Sequence, residues 1–541
     1  MAEISLLQQV VDDHVNDPKA PRYTVVLKHH PGGRVVLPRG VRLHLDQCGP
    51  VVVESTGGNN TVAYTNGESL VVESMTDTEL YVENHRGPPC DFLEVQQSRV
   101  KLVGVEARHV ICEDSTVDLF DLKAGPTALT RCQVYWERVK SEVFTLSQVR
   151  GHGAELTTEQ AEFLEDSEVY SRAWTTETFT ARDSKVELTG FTATQAVELE
   201  GCNVHLDSCT FQGPLTLRDC NYYFKGLSCL EELSLEDCTG VSDSGEFAAA
   251  VTVSGGQHTT RNSAFEDTLE VTGAQWISDH DTFSEDLTLD TCRGNFDFAT
   301  VTGKLETTNC ALHLTDCTLE DDCAITGGTL PKVRRLSVAG GFSASGLQGR
   351  NQLAKVSAEG EFLLAGDSQA HLDFSESSVA GPLSLSGWGL VQLQSVVGED
   401  SVSVSGIRSL SGGSLAGATL DLSGVLAILD GVTGDVAVAN SLVQLKNVIG
   451  EVALQSSTFQ LKGVSGQVTA TGSAGSVEGA AGFSGSGCTV QLVGVANWAG
   501  VDSLLFGVGS SGPTIQADSS LLIKSPLIII EGDVRHEGNC I

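Results

Sequence analysis

The sequence from Cys202 to Cys220 reads CNVHLDSCTFQGPLTLRDC and contains one full repeat of the chain. Apolar side chains alternate with polar ones in three short segments, which polar residues separate. In a strand, this alternation places every second side chain on the same side. The stretch therefore predicts three short strands with polar corners, which is one coil of a triangular β-helix. The residues predicted to point inward are Cys202, Val204, Leu206, Cys209, Phe211, Leu215 and Leu217.

Five cysteines repeat this period along the chain: Cys202, Cys220, Cys238, Cys292 and Cys310. The sequence interval between the first three is 18, the interval from the third to the fourth is three times 18, and the fifth follows after another 18. The skipped positions hold the small residues Gly256 and Ala274. A fixed period of about 20 residues is typical of solenoids. The predicted fold class is therefore all-β, an elongated parallel β-helix with 16–18 residues per coil and a short N-terminal helix.

The cysteine series allows three interpretations. It is an inward stack of small, polarizable side chains that fill the corners of the triangle. Alternatively it forms disulfides, because stacked positions in adjacent coils are about 4.8 Å apart, inside the Cα range of a disulfide. The third interpretation is a metal site, although the sequence has no C-x-x-C spacing of the kind that zinc favours. Because 15 cysteines are an odd number, at least one is free or pairs between chains, and Cys540 is the candidate for an interchain disulfide.

Composition and charge favour strands and exclude several partners. Of the 541 residues, 58 are Gly and 2 are Met, and 40% are hydrophobic, which is enough to bury a core. The net charge of −37 disfavours nucleic acid and anionic membrane surfaces, which are themselves negative. No apolar run approaches the roughly 18 residues of a membrane-spanning helix. The first residues lack the basic and apolar regions of a signal peptide, so we expect synthesis in a cytosol.

The first predicted region, residues 1–40, precedes the repeats. Apolar residues at helical spacing predict an amphipathic helix over residues 2–16. Residues 23–28 and 34–37 read as two extended segments around a Pro-Gly-Gly turn, and therefore as a hairpin. A non-repetitive start of this kind is expected to cap the solenoid or to attach it to something else.

Three further regions follow: residues 41–330, 331–515 and 516–541. The first of these has acidic, cysteine-rich coils with a period of 17 or 18. Residues 331–541 hold 10 Lys and Arg and 17 Asp and Glu, a net charge of −7, so −30 of the total −37 lies in residues 1–330. In residues 331–515, which are rich in Gly, Ser and Val, Leu429, Leu445 and Leu461 recur with a period of 16 and predict a narrower β-helix. Residues 516–541 are expected to form a C-terminal tip.

The C-terminal sequence is the most specific local motif. The apolar run Leu527-Ile528-Ile529-Ile530 is followed by Gly532-Asp533-Val534, then His536 and Gly538-Asn539. Over residues 519–541, and loosely from residue 340 on, the chain resembles the β-helical tail of the baseplate spike proteins of contractile-tailed phages, of the baseplate-assembly protein V type. That family consists of homotrimers whose intertwined strands form a needle.

The resemblance implies a structural virion protein, the spike or fibre of a phage tail or baseplate, which acts in host attachment or envelope penetration. The N-terminal region would bind tail hub or baseplate proteins, and the other end would meet the host cell surface. Assembly would take place in the host cytoplasm and the mature location would be the virion. The sequence leaves open whether one chain forms each coil or three chains interlace.

No cofactor is expected apart from a metal ion at the tip, which the same resemblance implies; the alternative is a solvated tip histidine that binds no metal. Spike tips of the family bind metal through a His-x-His pair, whereas this chain has His536 alone in that place. A three-fold axis would bring three copies of His536 together, with Glu537 beside them, and imidazole with carboxylate suits several divalent metals.

The alternative function is a peripheral tailspike or tail fibre that binds, or depolymerises, a glycan of the host surface. Trp388 and Trp498 are candidates for glycan contacts if they lie on corners. Depolymerases use paired carboxylates, but pairs such as Asp166 with Glu168 or Asp321 with Asp322 are uninformative among 70 acidic residues. The sequence lacks Gly-x-Ser-x-Gly, P-loop and His-Glu-x-x-His motifs, so we expect no catalytic residues.

Overall fold

The computed structural model describes residues 6–17, 24–55, 60–65, 69–73, 80–83, 91–486, 488–495, 498–499, 503–506 and 527–530. These residues contain one α-helix and 61 β-strands, wound into about 24 turns. The chain divides into two compact units, Met1–Asp267 and Thr268–Ile541. Each unit is a β-solenoid, because its strands pair in parallel with strands of the coil before and the coil after. The predicted all-β parallel β-helix is therefore confirmed.

The coil that begins at Cys202 has the three sides that the sequence predicts. Its strands are Asn203–Asp207, Thr210–Phe211 and Leu215–Arg218, and they lie on what we call the first, second and third faces. Asn203–Asp207 pairs with Lys185–Thr189 and Asn221–Lys225, one coil away on either side. All seven residues predicted to point inward are buried.

The strands of the first unit repeat this arrangement. Those of the first face are Thr24–Lys28, Arg42–Asp46, Asn60–Thr65, Leu80–Glu83, Arg99–Val103, Thr116–Phe120, Glu168–Arg172, Lys185–Thr189, Asn203–Asp207, Asn221–Lys225, Thr239–Asp243 and Gln257–Arg261. Those of the second face are Glu106–Ala107, Lys123–Ala124, Thr192–Ala193, Thr210–Phe211, Ser228–Cys229, Glu246–Phe247 and Ala264–Phe265. Those of the third face are Gly33–Leu37, Val51–Ser55, Ser69–Glu73, Phe92–Gln96, Val110–Glu113, Thr127–Thr130, Val197–Glu200, Leu215–Arg218, Leu233–Glu236 and Val251–Ser254. Three longer strands continue around a corner: Gln133–Ser147, Arg150–Leu164 and Thr175–Arg182.

Residues with positive φ turn the chain at two of the three corners. In the coil at Cys202 they are Gly201 (φ 64°) and Ser208 (φ 57°), each followed by an inward cysteine. Asp219 and Asp237 take the place of Gly201 in the next two coils, with φ of 53° and 51°. Gly, Asp and Asn reach this left-handed region more easily than other residues, which explains why the corners are rich in them.

The N-terminal helix, Leu6–Asn16, covers the first coil. Leu7 and Val11 are fully buried, and the helix packs on the strand Gly33–Leu37. The side-chain amide of Gln8 donates to the carbonyl of Val36 at 3.1 Å, and its oxygen accepts from the N–H of Val36. The helix thus satisfies backbone groups at the first edge of the solenoid, which is how a cap works.

The predicted hairpin is wrong. Thr24–Lys28 pairs in parallel with Arg42–Asp46, and Gly33–Leu37 pairs in parallel with Val51–Ser55, so the two segments belong to different faces. The Pro-Gly-Gly turn is a coil corner instead. Gly32 has φ +98°, and a Cβ there would lie 2.2 Å from the carbonyl oxygen of Pro50 in the next coil. The turn residues are needed for this close approach, not for strand reversal.

The second unit has three faces of its own, which we again call first, second and third. Its first-face strands are Gln275–Asp279, Arg293–Asp297, Ala311–Thr315, Thr329–Arg334, Arg350–Ala354, Ser503–Phe506 and Leu527–Ile530. Leu442–Ile449 and Thr489–Val495 begin on the first face and cross the corner to the second. The second face has Thr282–Phe283, Thr300–Val301, Thr318–Leu319, Ser337–Val338 and Ser357–Ala358. The third face has Leu269–Thr272, Leu287–Asp290, Leu305–Thr308, Cys323–Thr326, Phe342–Leu347, Phe362–Gly366, Leu383–Ser386, Val452–Gln455 and Trp498–Ala499. Strands that cross corners are His371–Val379, Leu390–Ser405, Ser409–Ser423, Leu426–Ala439, Thr458–Thr471 and Ala474–Ser486.

The coil of the second unit lengthens before it shortens, which corrects the predicted start of the 16-residue coils at residue 331. Phe342 pairs with Phe362, and Phe362 pairs with Leu383, so the period of the coil is first 20 and then 21. The period is 16 from Thr419, which pairs with Asp435, to Val464, which pairs with Ala480, and it is 15 where Ala474 pairs with Thr489. One added residue lies within the strand Thr329–Arg334, because its pairing shifts register between Ala311 and His313, and a second shift lies between Ala344 and Leu347.

Only Leu527–Ile530 of the predicted tip is described, and it pairs with Ser503–Phe506. His536, Glu537 and Cys540 lie outside the described residues, so the metal site and the interchain disulfide stay predictions.

Candidate functional site

The predicted cysteine series lies at the corner between the third and the first face, and all of its thiols are buried. The backbone N–H of Cys202 donates to Sγ of Cys220 at 3.3 Å, and that of Cys220 donates to Sγ of Cys238 at 3.5 Å. In the second unit the N–H of Cys292 donates to Sγ of Cys310 at 3.2 Å. Each thiol also donates to the carbonyl two residues before it, at 3.0 to 3.2 Å. The series is a hydrogen-bonded ladder between coils.

Serine takes the same place in other coils. The N–H of Ser98 donates to Oγ of Ser115 at 3.1 Å. Near the end of the chain Ser441, Ser457 and Ser473 repeat the pattern every 16 residues, at 3.2 and 3.1 Å. What this corner needs is a small side chain that accepts one hydrogen bond and donates another, which both residues provide. The ladder is therefore part of the scaffold.

Of the three interpretations of the cysteine series, the structure contains the inward stack of thiols. Thirteen cysteines fall in the described residues and all are buried, and the five of the series form no disulfide. Burial raises the pKa of Cys323 and of Cys112 above the usual range of a thiol. The hydrogen bond with the next thiol lowers the pKa of Cys292 to about 7, and the same bond raises the pKa of its partner Cys310. Because both sulfur atoms are buried, solvent reagents do not reach them.

The other predicted site residues do not form a site where they are described. Trp388 is fully buried and donates from Nε1 to the carbonyl of Leu364 at 3.1 Å, so it points inward and does not offer a glycan contact on a corner. Trp498 belongs to a described strand, but its side chain is not among those described. Asp321 and Asp322 accept backbone N–H groups, at 2.7 and 2.8 Å, and thus stabilise a corner. Within the described residues no group of three or more His, Cys, Asp and Glu side chains is arranged to hold a metal ion.

The outer surface of the first face carries a set of rings that the sequence reading did not find. Tyr135, His152 and Tyr170 occupy the central outward position in three consecutive coils and are paired in register. We call these three residues the aromatic ladder. The ring centroids of Tyr135 and His152 are 5.1 Å apart and the planes meet at 62°, edge to face. Phe120, one coil earlier, lies 5.4 Å from Tyr135.

The inward residues explain why the ladder forms here. Trp136, next to Tyr135, points into the core and is fully buried. In the following coil Gly151 and Gly153 flank His152, and a Cβ on either would lie within 2.6 Å of Trp136 atoms. The absence of side chains at the two glycines makes room for the indole. The pleat then presents His152 outward beside Tyr135.

Charged groups surround the third ring of the ladder. The hydroxyl of Tyr170 donates to Oε1 of Glu168 at 2.6 Å, and this hydrogen bond is the largest cause that lowers the pKa of Glu168. Lys185 donates to the Tyr170 hydroxyl, and its Nζ lies 4.7 Å from the ring centroid. Arg150 is 3.4 Å from Glu168. Glu168 is thus held ionised as an acceptor, which does not suit the raised pKa of a general acid.

The ladder lines an open trough of about 410 Å³ on the first face of the first unit. Thr116, Asp118 and Gln133 complete its wall beside the rings and Glu168. A volume of this order is typical of small-molecule sites, which combine aromatic walls with a few placed polar groups.

A signal for the ladder exists in the sequence. Tyr135, His152 and Tyr170 follow one another at intervals of 17 and 18, which match the period of the coil, and His205 and Tyr223 continue the same column two coils later. The repeat is visible in the apolar residues that point inward, whereas the ladder lies at the outward positions between them.

Comparisons with protein-family models, with curated proteins and with solved structures find no match to this chain. Among the described residues, no helix has the length and apolar character needed to cross a membrane.

Proposed function

We propose that the chain is a structural protein, the β-helical spike or fibre of a phage tail or baseplate, which acts in host attachment or envelope penetration. The observation that carries the proposal is the unbroken parallel pairing of consecutive coils within each unit, reinforced by the corner ladder. Dense hydrogen bonding between coils with few open strand edges makes a stiff shaft. The phage origin rests on the resemblance of residues 519–541, and the virion location follows from it.

An exposed apolar patch supports the homotrimer. Leu426, Ile428 and Leu442 are 40%, 50% and 50% exposed and lie on adjacent strands of the first face, where Leu426 pairs with Leu442. Contiguous apolar surface of this kind marks contact with another protein. The patch lies in residues 331–541, whose net charge is −7, so like-charge repulsion between copies is weakest there.

The oligomer is tested by light scattering on the purified full chain. We expect three times the mass of one chain for the wild type and a lower mass for Leu442→Asp. The matched control is Ile449→Asp, because Ile449 is 62% exposed but lies beyond the next corner. A monomeric wild type contradicts the trimer, and equal effects of the two substitutions contradict the patch.

The tail function is tested by immunogold labelling of particles that contain the chain. Label on the tail axis, at the end of the tail, is expected for a spike that is bound to hub or baseplate proteins. Label at the periphery would favour the alternative, a tailspike or tail fibre that contacts host glycan. Particles without label on the tail would refute the phage assignment. We expect no depolymerase activity, which assays on capsule and lipopolysaccharide test directly.

A further inference from the structure

We propose that the aromatic ladder is a carbohydrate-binding site, with Tyr135, His152 and Tyr170 as stacking platforms for successive sugar rings of an uncharged or weakly charged polysaccharide. The site goes beyond the structural function and does not depend on the assignment to a phage tail. Trp388 does not contribute to it, because that side chain is buried.

The rings leave area free for a ligand. His152 is exposed, while Tyr135 and Tyr170 are half-buried at their bases. Because Tyr135 and His152 meet edge to face, neither ring covers the face of the other as a parallel stack would. Ring faces carry negative charge density and attract the polarised C–H groups on the flat side of a sugar. With about 4.8 Å between coils, the three residues offer a track of about 10 Å.

The polar groups match a ligand that is rich in hydroxyls. Glu168 is an ionised acceptor at one side of the Tyr170 ring, and Arg150 and Lys185 are donors beside it. Asp118 and Gln133 supply further acceptors and an amide donor in the wall. Donors and acceptors that are already fixed by mutual hydrogen bonds can bind hydroxyl groups with little further ordering.

The charge of the trough argues against the main competitor, single-stranded nucleic acid, which also stacks on aromatic side chains. Nucleic-acid sites are lined by an excess of Lys and Arg. Here the lining has one cation, Arg150, and two carboxylates, those of Asp118 and Glu168, and the adjacent coil adds the ion pair of Lys185 and Glu187. The surrounding residues 1–330 carry a net charge of −30. A polyanion would be repelled, whereas a polyhydroxyl chain would not.

Binding is measured by biolayer interferometry with the purified full chain. The probes are immobilised maltohexaose, cellohexaose and chitohexaose, and lipid-free O-polysaccharides of Gram-negative bacteria. We expect at least one probe to bind the wild type, and we expect Tyr135→Ala to weaken that binding about tenfold. Tyr170→Phe, which keeps the ring and removes the hydroxyl, should weaken it less.

Tyr223→Ala is the matched control, because Tyr223 is an exposed ring on the same face that meets His205 edge to face, with 4.9 Å between the centroids, outside the trough. It should leave binding unchanged, and circular dichroism should show all variants folded. Failure of the wild type to bind any probe overturns the inference, as does an equal loss in Tyr223→Ala. Binding of oligo(dT) that falls steeply with salt overturns it in favour of nucleic acid. None of these results depends on the trimer or on the location on a tail.

Discussion

A buried hydrogen bond between Tyr222 and His258 ties together coils that are two turns apart. The two residues and Gly240 between them occupy the same register position in successive coils. The Tyr222 hydroxyl is 2.9 Å from Nδ1 of His258, and Nε2 of His258 is 3.0 Å from the carbonyl oxygen of Gly255. Since a carbonyl only accepts, Nε2 carries a hydrogen. Burial lowers the pKa of His258, so the imidazole is neutral near pH 7 and Nδ1 accepts from the hydroxyl.

Burial lowers the pKa of His258 below its usual value and raises that of Tyr222 above it. In the unfolded chain His258 titrates near its ordinary pKa of about 6.5. Between the two pKa values of His258 the unfolded state binds more protons, so stability increases with pH up to about 6.5 and is lost as the pH falls below that value. The slope of this loss is at most about 1.4 kcal/mol per pH unit for one group.

We expect acidification from about pH 7.5 to about pH 5.5 to lower the local free energy of unfolding by about 1 kcal/mol through His258. A solenoid unfolds locally, so the assay is hydrogen exchange of peptides from residues 221–261, corrected for intrinsic rates. His258→Leu should remove most of the pH dependence in these peptides. His205→Leu is the control, because His205 is exposed on the same face and should change nothing.

A double-mutant cycle tests the hydrogen bond itself. Tyr222→Phe removes the hydroxyl that bonds to Nδ1 of His258, which should cost about 1–3 kcal/mol, whereas removal of both polar groups should cost less than the sum of the single changes. Equal loss of protection on acidification in the wild type and in His258→Leu would refute the reasoning about pH. Strict additivity in the cycle would refute the contact.

Three further outcomes are expected. Gly201→Ala should lower the thermal unfolding temperature by more than Gly190→Ala. Both glycines have left-handed φ, so alanine at either position costs about 1–2 kcal/mol in strain, but only at Gly201 would the Cβ lie 2.5 Å from a side-chain oxygen, that of Asp183. Similar shifts in the two variants would contradict this reasoning. Trp388→Ala should cost about 3–5 kcal/mol in urea unfolding because the ring is fully buried, and a change below about 1 kcal/mol would contradict its place in the core. Native protein should react with a thiol reagent at no more than the two cysteines outside the described residues, and reaction at more than two would contradict the buried ladder.

The period of the coil and its inward residues could be predicted because each coil must bury its own apolar side chains. Cys202, Cys209 and Phe211 show this, since strand alternation and the fixed period identify the same residues as buried. The longer coils around Phe342 and Phe362 could not be predicted, because a residue that is added once in the chain leaves no period. One such residue forms a bulge in the strand Thr329–Arg334, where the pairing with Ala311–Thr315 shifts register. The buried side-chain amide of Asn351 bonds to the backbone in these longer coils, because it accepts from the N–H of Leu330 and donates to the carbonyl of Gln348.

The sequence leaves open whether Trp388 points inward or lies on a corner, because its burial depends on a residue one coil away. A Cβ on Gly366 would lie 2.4 Å from the indole ring, so the glycine leaves the space that the tryptophan fills. The prediction of a hairpin is wrong for a similar reason. A corner of a solenoid and a hairpin need the same turn residues, and only pairing with the next coil tells them apart.

The aromatic ladder extends this argument to the outer surface, because in-register coils give every outward position a column of its own. The column that contains Tyr135, His152 and Tyr170 is interrupted at Glu187 and resumes with His205 and Tyr223. Glu187→Tyr would therefore join the two segments into one column of six rings. If sugars stack on the ladder, affinity for a long polysaccharide should increase about tenfold while affinity for a trisaccharide should stay unchanged, because only the longer chain reaches the added rings. Equal gains for both lengths in biolayer interferometry would show that the new tyrosine acts locally and that the column is not a track.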